Sequence, residues 1–265
     1  KTAMNICDCH IHAFAKGVER AGGAYVPPEK DIGDFIAEEA QTNGIGRAVV
    51  IQASVDGTDN TALARMVASP PEAIALRGVA MISPASADLE TLAASGVRAA
   101  RLQDRGRVGI NQLDLLPQVA ALAAEVDWHV ELNTEPVRFD RVAAALEAMP
   151  AGQPLVLDHF GHVDPASEAQ VTSLCRLLDS GRIWVKLSPT RVSTRPDNYD
   201  DLAALVSRLV QGWPDRCLWG SDWPHVMTPP PVPRLAPMLD LLKQVLPEEG
   251  LRAVLQDNPA ALYRF

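Results

Sequence analysis

Ile6-Cys7-Asp8-Cys9-His10-Ile11-His12 is the stretch on which the fold turns. It predicts a strand over residues 6–10 that ends in an acid and two imidazoles. A doubly wound open sheet would follow its first strand with a glycine-rich phosphate-binding turn, and none is present. Working outward, short β-branched runs alternate with helix-period runs along the whole chain. Strands are expected over residues 6–10, 48–52, 76–82, 97–102, 128–133, 155–159, 183–187 and 217–220. Helices are expected over 32–42, 61–68, 116–125, 137–148, 166–178, 202–210 and 236–245. Strand then helix, repeated eight times, defines an α/β fold, a parallel (β/α)8 TIM barrel, with residues 1–265 as a single domain.

Composition narrows the function classes. The 265 residues carry 24 Lys+Arg against 33 Asp+Glu, a net charge of −9 that argues against nucleic acid as a partner. With 47% hydrophobic and 22% charged residues the chain can bury a large core. No apolar run approaches the roughly 20 residues of a membrane span, and the start reads as a strand rather than a leader, so a cytoplasmic protein is expected. A homo-oligomer is compatible with this composition. The cysteines at 7, 9, 175 and 217 are too few and too irregular for a disulfide framework, and Cys7 and Cys9 are expected to face outward from their strand.

The chemistry gathers where strands end. Alternation predicts that Asp8, His10 and His12 share one face of the first strand, pointing into the barrel mouth. The sixth strand ends in Asp158-His159-Phe160-Gly161-His162, with His159 expected in phase with Leu155 and Leu157. The eighth ends in Gly220-Ser221-Asp222-Trp223-Pro224-His225, which leaves an acid at the same mouth. Lys186 alternates with Trp184 and Ser188 and is expected to line the barrel in an ion pair. Three distant strand ends converging on one mouth is what a barrel active site requires.

These strings, with the closing Asp257-Asn258-Pro259-Ala260-Ala261-Leu262-Tyr263, resemble the amidohydrolase superfamily over nearly the whole chain. The resemblance is strongest to the branch that contains the 2-pyrone-4,6-dicarboxylate lactonases. It implies a hydrolase that opens a carboxylate-bearing lactone in aromatic-compound degradation. Asp222 would be the general base, and His10, His12 and His159 would position water and meet the oxyanion. Superfamily members with two metals place a His at the end of the fifth strand, where this chain has Asn133, so a binuclear centre is not expected. The branch implies catalysis without a divalent ion. The alternative is a single Zn or Mn held by His10, His12, His159 and Asp222, in a metal-dependent hydrolase or decarboxylase. A sugar-acid lactone isomerase is a further alternative.

A carboxylate-bearing substrate needs cations above the mouth. Arg101 ends the fourth strand, Arg107 follows in its loop, and Arg191 follows the seventh strand. Asn133 and His225 are further candidates for substrate contact. Where the lactonase branch carries an arginine after its DHxG string, this chain has His162, expected to be a weaker, pH-dependent grip.

Overall fold

The computed structural model describes residues 4–18, 20, 23, 25–106 and 109–265, so Arg107 lies outside the described residues. Its strands are β1 (Ile6–Ile11), β2 (Ile45–Ile51), β3 (Ala75–Met81), β4 (Val97–Arg105), β5 (Ile110–Asn111), β6 (His129–Asn133), β7 (Leu155–Leu157), β8 (Ile183–Leu187) and β9 (Cys217–Trp219). Eight of them pair in parallel in the order β1-β2-β3-β4-β6-β7-β8-β9, the staves of a (β/α)8 barrel. The two-residue β5 instead folds back antiparallel onto the end of β4, an element the strand–helix count did not include. Closure happens at the mouth. Asp222 donates its backbone N–H to the His10 carbonyl at 2.8 Å, and His12 donates its own to the Trp223 carbonyl at 2.8 Å. A side chain at Gly220 would forbid this approach, since a Cβ there would lie 2.6 Å from His10 Cβ.

The helices between staves follow their apolar spacing. Thr61–Ala68 buries Leu63 and Val67, and Glu168–Leu178 buries Val171, Leu174, Cys175 and Leu178 against the strands. Ser167 caps the second of these by accepting the Gln170 N–H. Helical structure over residues 32–43 contains a π-helical turn at Ile36–Ala40, and a helix not expected from the sequence spans Leu89–Ser95. Between strands and helices lies the larger core. A smaller one fills the barrel with Cys7, Cys9, Val49, Ile51, Val79, Ala99, Val156 and Leu218, closed from below by Tyr263 of the last helix.

Two expectations about facing are corrected here. Asp8 pairs with Ala48 but Ile11 pairs with Val50, so three residues of β1 advance against two of β2. This bulge shifts the phase within the strand. Cys7 and Cys9 therefore point into the barrel, fully buried, and Asp8 shares the register of Ala48 in the outer core. His10 turns inward only beyond the bulge. On β7, Leu155 and Leu157 face the helices and Val156 faces inward, so the inward phase continues to Asp158, not to His159. His159 reaches the mouth because residues 159–162 form a left-handed turn, with φ of 49°, 54°, 61° and 53°.

Candidate active site

Asp222 has φ of 66° just past β9, a left-handed residue that turns its carboxylate over the barrel axis. Its Oδ1 lies 3.6 Å from His10 Nε2 and 3.6 Å from His12 Nε2, and its Oδ2 accepts from Arg191 Nε at 2.6 Å. The His10 and His159 rings are 4.8 Å apart. Asp222, His10, His12 and His159 are thus brought together from β1, the turn after β7 and the end of β9, all of them buried.

Each imidazole is oriented by a group behind it. His12 Nδ1 donates to the Ile51 carbonyl at 2.9 Å, which leaves Nε2 toward Asp222. His159 Nδ1 meets Ser188 Oγ at 2.9 Å. Behind His10 is Lys186, whose ammonium can only donate and lies 3.2 Å from Nδ1. The same nitrogen lies 3.3 Å from Asp158 Oδ1, so a donor and an acceptor both face His10 Nδ1, while Nε2 points toward Asp222. The same ammonium lies 3.2 Å from Asp158 Oδ1 and pairs with Glu131, which in turn accepts from Tyr263 OH and faces His129. Lys186 lies on the inner face with Ser188, as alternation predicts.

Burial and neighbouring charge set the protonation states. Burial would raise Asp222, but Arg191 first, then His159, His12 and His10, hold its carboxyl well below the usual range. Burial would also raise Asp158, and the Lys186 ammonium overrides it. Glu131 is likewise held low by Lys186 against burial. Burial pushes His10 and His225 down to about 4 each, and His159 well below its ordinary value. Asp8 behaves in the opposite way. Burial raises it to about 7 although its Oδ1 accepts the backbone N–H groups of Ser221 and His10.

The remaining expected residues fall in three places. Arg101 is buried on β4, donating to the Gln52 carbonyl at 2.7 Å with a second nitrogen 3.9 Å from Asp158 Oδ2. Asn133 Oδ1, at the end of β6, accepts from His162 Nε2 at 2.8 Å, while Arg105 approaches His162 Nδ1 at 3.0 Å. Burial and the Arg105 charge push His162 down to about 3. His225 is buried beside Asp222, and neither ring nitrogen has a hydrogen-bond partner among the described residues. A cleft of about 730 Å³ opens at this rim, lined by Arg105, Glu135, His162, Gln170, Arg191 and Thr194 among others.

Sequence reading gave no role to Asp158, Glu131 or Arg105. Asp158 stood in the quoted string, and the inward phase of Val156 carried two residues further would have found it. Pairing of Glu131 with Lys186 across two staves left no local signal. Arg105 was hidden because β4 runs three residues past its expected end. Among the described residues, His10, His159 and Asp222 offer ligand atoms within 4.8 Å of one another and could hold a metal ion.

A parallel barrel with acid and imidazoles from separate stave ends at its carboxyl mouth defines a class of barrel hydrolases. The chain belongs to the amidohydrolase family, whose model matches residues 7–265. It is 31% identical to a 2-pyrone-4,6-dicarboxylate hydrolase of Comamonas testosteroni, over 99% of this chain and 91% of that one. It is 29% identical to a 4-sulfomuconolactone hydrolase of Rhizobium radiobacter, over 97% of this chain and 89% of that one. A crystal structure of an Agrobacterium tumefaciens protein matches with a TM-score of 0.84 at 26% identity, covering 99% of this chain and 97% of that one.

Proposed function

We propose that this enzyme hydrolyses the ring ester of a carboxylate-bearing lactone, with Asp222 as general base and no metal ion. The observation that carries the reading is the Asp222 carboxylate, poised 3.6 Å from both His10 and His12. Those gaps are too long for direct hydrogen bonds, and a water between Asp222 Oδ1 and His12 Nε2 can donate to both. Asp222 takes one of its protons as the oxygen attacks the lactone carbonyl. His10, in the tautomer that carries its proton on Nε2, donates to the developing oxyanion, with His159 beside it. The ring oxygen then leaves as an enol or alcohol, receiving the proton held by Asp222. The carboxylate of the substrate is met at the rim by Arg191 and Arg105, which line the cleft, with Arg101 and His225 buried below them and Asn133 bonded to His162. Two relatives of this chain carry the names of lactone hydrolases, which supports the same reaction class.

The charges at the site support catalysis without a metal. Three buried carboxylates, Asp222, Asp158 and Glu131, face three cations, Arg191, Arg101 and Lys186. A divalent ion held by His10, His159 and Asp222 would add two charges to a buried site already near balance. Such an ion fits the spacing but not the charge.

The test follows ring absorbance with a panel of carboxylate-bearing lactones. Asp222→Asn is expected to lower kcat by about 10²–10⁴-fold, the range of general-base catalysis, with KM little changed. Wild-type activity is expected to survive chelation. Retained turnover in Asp222→Asn removes Asp222 from the base role, and activity lost with stoichiometric zinc or manganese overturns the metal-free reading.

A further inference from the structure

Each guanidinium lining the rim cleft already faces a carboxylate of this chain. Arg191 Nε bonds Asp222 Oδ2 at 2.6 Å, and Arg105 Nε lies 3.4 Å from Glu135 Oε2. Glu135 is buried two residues past β6, and its other oxygen accepts the Gly106 N–H at 3.0 Å, which fixes the carboxylate beside the end of β4. Both partners of this second pair line the cleft, so Glu135 is a counter-charge built into the space a substrate enters. Asp201 and the exposed Asp164 line it as well. Among the described lining residues, three carboxylates therefore stand against two guanidinium groups. Beneath them, Arg101 and Lys186 face Asp158 and Glu131 one for one. A guanidinium has five N–H donors, so such pairing uses up charge before it uses up donors.

We propose that Glu135 limits the substrate to a single carboxylate: the lactone opened here bears one carboxylate and otherwise neutral groups, and Glu135 is the residue that turns a second anion away. The assignment rests on the lactone reading above and narrows its substrate class. One incoming carboxylate can share the donors of Arg191 and Arg105, and it adds a single charge to a mouth whose cations are matched. A second carboxylate would lose its water beside Glu135, with every described cation of the cleft already facing an anion. Neutral hydroxyl groups meet no such obstacle, because a carboxylate lining accepts hydrogen bonds from them. The repulsion acts on a distal substituent and not on the reacting carbonyl, so it weakens ground state and transition state alike and is read in KM.

The experiment measures kcat/KM for 2-pyrone-6-carboxylate and for 2-pyrone-4,6-dicarboxylate, with wild type, Glu135→Gln and Asp164→Asn. Wild type is expected to favour the monocarboxylate. Glu135→Gln keeps the side-chain shape and an acceptor for Gly106. It is expected to move the ratio toward the dicarboxylate by about tenfold, the order of one screened charge–charge contact, through a lower KM for that substrate. Asp164→Asn removes the same charge from an exposed part of the lining and is expected to move the ratio much less. Wild type that favours the dicarboxylate, an unchanged ratio in Glu135→Gln, or an equal shift in Asp164→Asn overturns the assignment and leaves the lactonase reading intact. Wild type that opens neither pyrone sinks the lactonase reading, and the assignment with it. Should Glu135→Gln fail to fold, competitive inhibition of wild type decides. Benzoate binding more tightly than benzene-1,3-dicarboxylate supports a rim for one carboxylate, and the reverse order overturns it.

Discussion

Asp222 and Asp8 are both buried at the β1–β9 seam, and their surroundings drive them apart. Arg191 and three imidazoles hold Asp222 ionised, whereas Asp8 has backbone N–H donors but no cation and is pushed up to about 7. Residue type alone could not separate a candidate base from a strut that ties β1 to the end of β9. His162 carries the same lesson. An imidazole in a rim cleft reads as a pH-dependent anion grip until Arg105 is found beside it. Since burial and that guanidinium place its titration near 3, His162 is uncharged on both sides of the ordinary imidazole range. The KM for a carboxylate-bearing lactone is accordingly expected to show no rise of the kind that loss of a histidine cation would give between pH 5 and 8. A steady-state pH profile checks this, and a KM climbing through about 6.5, the ordinary imidazole pKa, would return His162 to the role of a charged grip.

The turn over residues 159–162 shows how an element can be assembled against local preference. Left-handed backbone is disfavoured for side chains other than glycine, yet His159, Phe160 and His162 all adopt it around Gly161. Gly161 also stands where a Cβ would come 2.8 Å from the Phe139 ring. Gly161→Ala is therefore expected to cost about 2–3 kcal/mol from the backbone and the clash together. It should lower kcat as well, because His159 and His162 move with the turn. Denaturant melts and steady-state kinetics read the two effects, and a fully stable, fully active variant would show that the turn tolerates another shape. These are the places where sequence reading stopped. The eight staves were legible because β-branched runs such as Ala48-Val49-Val50-Ile51 declare themselves without help from distant residues. The β1 bulge, the left-handed turn and the extension of β4 to Arg105 were not, because each breaks the two-residue period on which strand reading depends. His10, His159 and Asp222 nonetheless meet at one mouth, since they lie at stave ends whatever their phase.

Across the whole molecule, a buried ionic chain runs down the barrel from His10 through Lys186 and Glu131 to Tyr263 and His129 near its base. Tyr263 comes from the last helix, and its hydroxyl donates to Glu131, tying that helix to a network that begins on β1. Such a chain is a poor source of net stability, because removing charges from water costs about as much as their attraction returns. What it supplies is arrangement: Lys186 and Asp158 together face His10 Nδ1 and orient the ring toward Asp222. The two contributions separate in a double-mutant cycle. Lys186→Met alone is expected to destabilise the fold by about 3–5 kcal/mol, since it strands Glu131 and Asp158 as buried anions. Glu131→Gln alone should cost less, because Lys186 keeps Asp158. The double variant should be more stable than the sum of the two by at least about 1 kcal/mol in urea denaturation, the size of coupling expected for groups in contact. It should nonetheless remain catalytically impaired, because restoring charge balance does not restore the donor behind His10. Additive stabilities would mean that Glu131 and Lys186 do not share their charge, and full activity in the double variant would separate the chain from the chemistry at the mouth.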